Sequence, residues 1–274
     1  MSWRSEAAMF TRFATGLGAF LRTPLAAGEG SRQLAANLGR REEHFLSLLR
    51  TGVFDNPSSP YLALMRNAGV EFADLQKSVH ERGIEVTLHV LWHRGVRLSL
   101  DEFKGRCAIV REGLEITPDP LDFSNPLKPG DYMAKSGGSR GSRARLAVDF
   151  DILALEAGHL QELHEAHGLS ERPTAIWWPA PPGSAGFKNA LRLARLGNPP
   201  VRWFSQVPLR WNRAGFKAAA FTHFALFRSR WSEQALPRPE YVPLNRAERV
   251  AKWLSEQVAG GMPGFLVCPV GAAL

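Results

Sequence analysis

A glycine-rich loop between two short predicted strands is the feature that most constrains this chain. Residues 136–143 read Ser-Gly-Gly-Ser-Arg-Gly-Ser-Arg, with three glycines, three hydroxyls and two guanidinium groups in eight positions. The segments 131–134 and 144–148 predict strands, and Asp149 is in the N-cap position of a helix that runs to about Gly168. The pattern therefore predicts a strand–loop–strand–helix unit.

The composition of this loop is typical of a polyphosphate site. Glycine adopts positive φ without strain and brings backbone N–H groups close to a ligand. Hydroxyl and guanidinium groups supply further donors that phosphate oxygens accept. The loop is not a Walker P-loop or a Rossmann fingerprint, because neither glycine pattern leads into a helix. A solvated linker or an RNA-contacting tail has a similar composition, but the strands predicted on both sides favour phosphate binding.

The first half of the chain predicts mainly helices. Helical spacing of apolar residues covers residues 31–53, 61–68, 74–81 and 84–92, with stops at Gly83 and Gly95. Ser59 before Pro60 predicts an N-cap followed by a proline in the first helical position. Residues 96–100 predict a strand, 101–104 a turn, and 106–111 with 114–117 a hairpin around Glu112-Gly113.

The second half alternates strands and helices. Strands are predicted at 174–178, 201–206 and 264–268, and helices at about 187–196, 213–231 and from Asn245 to near Gly260. This alternation is typical of an α/β fold in which a largely parallel, buried sheet is flanked by helices. Prolines cluster in residues 118–130, so we divide the chain there. Residues 1–125 form a helical lead-in with a small β hairpin, and residues 126–274 begin the α/β core that carries the loop.

Charge and cysteine content narrow the class of protein. The formal net charge is +8, but 27 of the 34 basic residues are Arg, a skew that a GC-rich coding sequence produces. No run of five basic residues occurs and acidic residues are interspersed, so the high pI is weak evidence for a nucleic-acid partner, which we do not expect. Cys107 and Cys268 lack the spacing of a disulfide framework or zinc knuckle, so we expect a cytoplasmic protein. No apolar run approaches the length of a membrane span. The first 25 residues predict an ordinary helix, with a transit peptide as the alternative.

Two adjacent tryptophans are the candidate substrate-binding residues. Trp177 and Trp178 end a predicted strand near the loop, where aromatic rings suit an apolar acyl or aryl pocket. Side chains alternate along a strand, so we expect at most one of the two to contact substrate. Residues 204–206 end another predicted strand, a position where ligands often bind.

Catalytic and metal-binding residues are not assigned from the sequence. His89 and His93 share one predicted helix, and His159, His164 and His167 lie on another, without the pattern of a metal site. We interpret these histidines as surface or packing residues. No G-x-S-x-G elbow of a serine hydrolase occurs.

The glycine loop resembles that of the adenylate-forming superfamily of acyl-CoA synthetases, most of all its phenylacetate–CoA ligase and acyl-protein synthetase branch. Family members carry a Thr/Ser-Ser-Gly-Thr-Thr-Gly-x-Pro-Lys/Thr loop that grips the ATP phosphates. The matching positions are Ser136, Gly138, Ser139 and Gly141, and Gly137 replaces a small residue. Arg140 stands in place of a threonine, Arg143 in place of the proline, and Arg145 lies one place past the usual lysine. Residues 56–61 and 100–106 also resemble the lead-in of this branch.

The resemblance implies a role and a set of ligands. It implies an acid–thiol ligase that uses ATP and Mg²⁺ to activate a hydrophobic aryl or fatty carboxylic acid and passes the acyl group to CoA or a carrier-protein thiol. Residues 136–141, including Arg140, would bind the nucleotide phosphates. The family's Tyr-Gly-x-Thr-Glu motif, its ribose-binding Asp and its lid lysine are not found in the sequence. We therefore expect the front part of a longer enzyme, inactive alone, without the Mg²⁺ ligand or the C-terminal lid domain.

Two alternatives from other classes stay open at this point. A non-catalytic nucleic-acid-binding protein would use Arg140, Arg143 and Arg145 on phosphates, with strongly salt-dependent affinity. A complete protein that keeps the loop as a relic would serve as a partner or scaffold.

Overall fold

The computed structural model describes residues 3–128, 130–135, 145–181, 183, 185–209, 211–212 and 215–273. These residues form two compact units. The first contains the described parts of Met1–Ala35, Gly130–Arg143 and Ala147–Leu274, and the second contains those of Ala36–Pro129 and Ala144–Leu146. The N-terminal helix therefore groups with the second half of the chain, whereas the division inferred from the sequence assigned it to the lead-in.

The helices and strands follow one another in an order close to that expected from the sequence. The helices are α1 (Trp3–Arg22), α2 (Glu29–Gly39), α3 (Arg41–Leu49), α4 (Pro60–Asn67), α5 (Phe72–His93), α6 (Leu100–Phe103), α7 (Phe150–Ala166), α8 (Ala185–Arg195), α9 (Phe216–Ser229), α10 (Glu248–Ala259) and α11 (Val270–Ala273). The strands are β1 (Ile109–Arg111), β2 (Leu114–Ile116), β3 (Tyr132–Lys135), β4 (Arg145–Val148), β5 (Thr174–Trp177), β6 (Arg202–Ser205), β7 (Pro239–Tyr241) and β8 (Phe265–Val267).

A four-stranded parallel sheet organises the first unit. Its order is β7-β6-β5-β8, and residues 175–177 of β5 pair in parallel with residues 202–204 of β6. On the other side of β5, residues 174–176 pair in parallel with residues 265–267 of β8. The α/β fold with a parallel sheet flanked by helices, predicted from the alternation of elements, is confirmed.

Helices cover both faces of this sheet. On one face Ile176 and Trp203 pack in a core with side chains of α1, α7, α8 and α9. On the other face Ala175, Trp177 and Phe204 pack against Val250 and Trp253 of α10. All four residues of β5 are buried, which is the pattern expected of a parallel strand enclosed by two helical layers.

The strand–loop–strand–helix prediction is confirmed for the elements on both sides of the loop. β3 and β4 form a two-stranded sheet, and α7 begins directly after Asp149. Tyr132 of β3 is buried among the rings of Phe13, Phe187 and Phe221, which anchors this sheet to α1, α8 and α9.

The second unit contains α3 to α6 and the β1–β2 hairpin. Gly83, at a φ of 82°, divides α5 into two helical parts, as the sequence predicts. The hairpin pairs Ile109 with Ile116 and Arg111 with Leu114 around the predicted turn. A π-helical turn, Arg50–Phe54, continues α3, and Val53 packs with Leu62 and Met65 in the core of this unit.

Several local predictions are wrong. Residues 96–99 are not a strand, and α6 replaces the predicted turn, because Ser99 and Glu102 form a capping box that begins a helix at Leu100. Asn245 is not the N-cap of α10 but lies within a tighter 3₁₀ turn, Leu244–Arg246. The edge strand β7 was not predicted, since it begins with a proline, which is compatible with an edge but weakens the strand pattern.

One ion pair joins the capping box to the hairpin in the second unit. The Arg111 guanidinium donates to Glu102 Oε1 at 2.8 Å and to the carbonyls of Gly95 at 2.9 Å and of Arg97. Glu102 Oε2 accepts from the Ser99 backbone N–H at 2.6 Å. The hydrogen bond from the Arg111 side chain has the largest effect on the pKa of Glu102, and with the contacts from Ser99 it lowers that pKa to about 2.

We expect Glu102→Gln to destabilise the second unit in a pH-dependent way. At pH 7 the substitution removes a charged acceptor from two donors, which costs about 1–3 kcal/mol. Because the folded pKa lies below the unfolded value of about 4.5, the stabilisation is present above that value and is lost as the pH falls toward about 2. Urea unfolding at pH 7 and pH 3 tests this. The exposed Glu115→Gln serves as control, and an equal effect of both substitutions contradicts the role of the ion pair.

Candidate functional site

Two aspartates fix the open end of the β3–β4 pair to α7. The Asp149 side chain accepts from the Ile152 backbone N–H at 2.8 Å, as its N-cap position predicts. Asp131 Oδ2 accepts from the Phe150 N–H at 2.9 Å, and the Asp131 N–H donates to the Val148 carbonyl at 2.8 Å. The first turn of α7 is thereby supplied with two carboxylate acceptors.

This arrangement determines which groups are available to an anion at the loop. Residues 136–144 connect the far ends of β3 and β4, and four strand residues span roughly 13 Å. The N-terminus of α7 therefore lies at the opposite end of the strand pair, where Asp131 and Asp149 already accept its N–H groups. A phosphate at the loop would depend on the loop's own amides, hydroxyls and guanidinium groups, unlike one in a P-loop.

The loop itself lies outside the described residues. Ser136, Gly137, Gly138, Ser139, Arg140 and Gly141, the predicted nucleotide-binding residues, all belong to it. Their role stays a prediction from the sequence. The described residues next to the loop are β3 and β4 with the aspartates at their base, and a second candidate region is the carboxyl edge of the parallel sheet.

The order of the strands places a topological switch point at that carboxyl edge. From β5 the chain passes through α8 to β6 and through α9 to β7, with both helices on one face. It then crosses through α10 on the other face to β8, which pairs with the opposite side of β5. The segments after β5 and β8 consequently lead to opposite faces, and ligands of open α/β sheets bind at such a switch point.

The segment after β5 is held tightly against α8. A Cβ atom at Gly186 would lie 2.4 Å from the Pro179 carbonyl oxygen and 3.0 Å from that of Trp178, so only glycine allows this approach. The Ser205 hydroxyl accepts from the Ala180 N–H at 2.9 Å and donates to the Val207 carbonyl at 2.6 Å. Buried and fully engaged, Ser205 positions the strand ends and is not a free nucleophile.

Trp177 is placed as a core residue. Its ring is buried on the α10 side of the sheet, and its Nε1 donates to the Val242 carbonyl at 2.9 Å. Gln206 Nε2 donates to the Trp177 carbonyl at 3.2 Å, which joins the ends of β5 and β6. The indole thus supports the sheet from the face opposite to Trp178.

Trp178 differs from its neighbour in both burial and hydrogen bonding. It is half-buried and packs against the core on the face of α1, α7, α8 and α9. Its carbonyl accepts from Trp203 Nε1 at 3.0 Å, whereas its own Nε1 is enclosed without a hydrogen-bond partner among the described residues. Of the two predicted substrate-binding tryptophans, Trp178 is therefore the one with an unused donor.

A polar cluster between α7 and α8 was not identified from the sequence. Glu156 accepts from Lys188 Nζ at 3.2 Å and from Arg192 Nη1 at 3.3 Å. Burial, followed by the Glu156 charge, raises the pKa of Tyr132, whose hydroxyl is enclosed without a partner among the described residues. Helical spacing of Lys188 and Arg192 was the only signal of this cluster, and such i,i+4 cations are common on helix surfaces.

The histidines and cysteines of the described residues do not form a cluster of metal ligands. His89 and His93 are exposed, with Nε2 atoms 3.3 Å apart. His164 is buried against the edge of Phe265, and burial lowers its pKa. Within the described ranges no three His, Cys, Asp or Glu side chains converge as metal ligands, and both Cys107 and Cys268 are free. In the same ranges, no helix has the length and apolar character needed to cross a bilayer.

Comparison of the chain with protein-family models, with curated proteins and with solved structures finds no match.

The two tryptophans provide a matched pair of substitutions. Trp177→Phe removes a hydrogen bond and leaves the Val242 carbonyl buried without its donor, which we expect to cost about 1–3 kcal/mol. Trp178→Phe removes an N–H that has no hydrogen-bond partner among the described residues, so we expect a change below about 1 kcal/mol. Urea unfolding followed by circular dichroism measures both, and equal destabilisation by the two substitutions contradicts the assignment.

Proposed function

We propose that this chain is the front part of an ATP-dependent ligase that activates a hydrophobic carboxylic acid as an acyl-adenylate and passes the acyl group to a thiol. The observation that supports it is the Ser-Gly-Gly-Ser-Arg-Gly-Ser-Arg sequence between two strands whose opposite end is fixed to α7. The loop is the only segment of the sequence in which glycines, hydroxyls and guanidinium groups are concentrated in this way.

The proposed chemistry requires charge neutralisation more than covalent catalysis. A carboxylate oxygen attacks the α-phosphorus of ATP, the bond between the α-phosphorus and the bridging oxygen breaks, and pyrophosphate leaves with the electron pair. Loop amides, the hydroxyls of Ser136 and Ser139 and the Arg140 guanidinium would stabilise the negative charge on the departing group. The second step transfers the acyl group to the sulfur of CoA or a carrier protein, releasing AMP.

A magnesium ion, which the resemblance implies, would add positive charge at the phosphates. Within the described residues no three acidic, His or Cys side chains converge, and a Mg²⁺ bound mainly by phosphates and water needs fewer protein ligands than three. The proposal therefore assigns no residue of the described chain to the metal and depends on the loop for phosphate contacts.

The acid would occupy the carboxyl edge of the sheet on the side of Trp178. A half-buried indole with an unused N–H offers an apolar wall and one polar contact, which is the usual composition of a small-molecule pocket. An aryl acid or a fatty chain would both pack on this ring. Trp177 would not contact the acid, because it packs on the opposite face.

Nucleotide binding by the 274-residue chain tests the phosphate role. We expect ATP and inorganic pyrophosphate to bind, and Arg140→Ala to weaken both by about tenfold or more, since a charge-assisted hydrogen bond contributes about 1.5–3 kcal/mol. Gly138→Val should have a comparable effect by blocking close approach of the backbone. Isothermal titration calorimetry gives the affinities.

Arg94→Ala, which removes an exposed arginine of the second unit, is the matched control and should leave the affinities unchanged. Equal affinities of the wild type and the Arg140→Ala and Gly138→Val variants remove the loop from the mechanism. If Arg94→Ala weakens pyrophosphate binding as much as Arg140→Ala does, the anion is attracted non-specifically to a basic protein, and this result also contradicts the proposal.

A further inference from the structure

The outer face of α9 carries exposed aromatic side chains. Trp211, Phe216, Phe227 and Trp231 are each more than half exposed. The Trp211 ring lies 5.7 Å from Phe216 and 4.8 Å from His223, and the Phe227 ring lies 4.7 Å from Trp231. Phe216, His223 and Phe227 are seven and four residues apart and therefore share one side of the helix. We call these five residues the aromatic stripe.

The opposite side of α9 already serves as the packing face. Ala219, Thr222, Ala225 and Ser229 are buried, and the small size of these residues lets the helix lie close to the core. Phe224 on the flank contacts Phe10 of α1 at 5.0 Å between ring centroids. Phe221 likewise packs inward, on Phe13 of α1, whereas Phe216 and Phe227 remain exposed. Exposed apolar surface of this kind marks an interaction site.

Positive side chains accompany the aromatic stripe. The described cations of residues 207–231 are Lys217, Arg228 and Arg230, and this segment contains no Asp or Glu. The Lys217 side chain is 89% exposed and forms a 3.2 Å ion pair with Glu6. Arg228 stacks over the Trp231 ring at 5.8 Å, so the cation and the aromatic group share the same surface. The partner of this face must therefore be both apolar and anionic.

We propose that the aromatic stripe binds the surface of an anionic phospholipid bilayer, with α9 lying parallel to the membrane plane. The exposed rings would enter the boundary between head groups and acyl chains, and the flanking cations would contact the anionic head groups. This inference is independent of the proposed ligase activity, because it uses no residue of the loop or of the sheet edge.

The same observations disfavour two other occupants. A second copy of the chain would bring another set of the cations Lys217, Arg228 and Arg230 to this face, and like charges repel across such a symmetric contact. A single-stranded nucleic acid needs open ring faces for stacking. Here the rings meet edge to face, with interplanar angles of 61° for Trp211–His223 and 69° for Phe227–Trp231.

Co-sedimentation of the 274-residue chain with lipid vesicles tests the proposal. We expect binding to phosphatidylcholine vesicles that contain about a quarter phosphatidylserine to exceed binding to phosphatidylcholine alone by about tenfold, and to weaken with added salt. The triple variant Phe216→Ser, Phe227→Ser and Trp231→Ser should lower binding by about tenfold or more. Lys217→Glu with Arg230→Glu should abolish the preference for anionic vesicles without altering the aromatic rings.

The matched control is Val86→Ser, Leu88→Ser and Trp92→Ser, which removes three half-exposed apolar residues from the second unit. It should leave vesicle binding unchanged, and circular dichroism melting should show that all variants are folded. Equal binding by the wild type and the charge-reversed variant overturns the proposal. So does tighter binding to a single-stranded RNA oligonucleotide than to anionic vesicles, which would assign the stripe to nucleic acid.

Discussion

Burial of β5 from both sides is the constraint on which the first unit depends. Its residues Thr174, Ala175, Ile176 and Trp177 are each at most 2% exposed. A parallel strand in this position needs a partner on each edge and an apolar layer on each face. The strands β6 and β8 are the partners on the two edges of β5. The helices α8 and α9 supply the apolar layer on one face, and α10 supplies it on the other. The Thr174 hydroxyl, which donates to the Arg172 carbonyl at 3.1 Å, leaves no unsatisfied group within the strand.

The two-sided cover of β5 also determines the candidate site. Because the connections after β5 and β8 run to opposite faces, the sheet has a switch point beside its most buried strand. The alternation of side chains along the strand then sends Trp177 to the α10 side and Trp178 to the other. Backbone and side-chain contacts of Trp177, Ser205 and Gln206 hold the ends of β5 and β6 together, so the edge is a rigid support for Trp178.

The sequence predicted elements with strong periodicity or capping signals, and their approximate bounds. Asp149 begins α7 as expected, Gly83 divides α5, and β5, β6 and β8 occupy the predicted segments. The wrong predictions occur where a local contact overrides the pattern of apolar residues. Ser99 and Glu102 begin a helix in a segment whose apolar residues suggest a strand, and Pro239 begins an edge strand that lacks alternation.

Tertiary features were beyond single-sequence patterns. The position of α1, which packs beside α7, α8 and α9, depends on long-range contacts of Phe13 and Leu17 that no local signal encodes. The alternation rule stated that at most one of Trp177 and Trp178 faces a ligand, but only the hydrogen bond of Trp177 to Val242 distinguishes them. The sequence predicts α9 as an ordinary apolar helix, because composition does not show which side of a helix packs against the core.

We propose that residues 136–143 hold a phosphate with their own groups, because Asp131 and Asp149 already accept the N–H groups at the N-terminus of α7. Hydrogen–deuterium exchange of the 274-residue chain with and without ATP and MgCl₂ tests it most directly. The account predicts slower exchange in peptides covering 136–143 and unchanged exchange in the first turn of α7. Unchanged exchange across 136–143, or protection confined to α7, would contradict it.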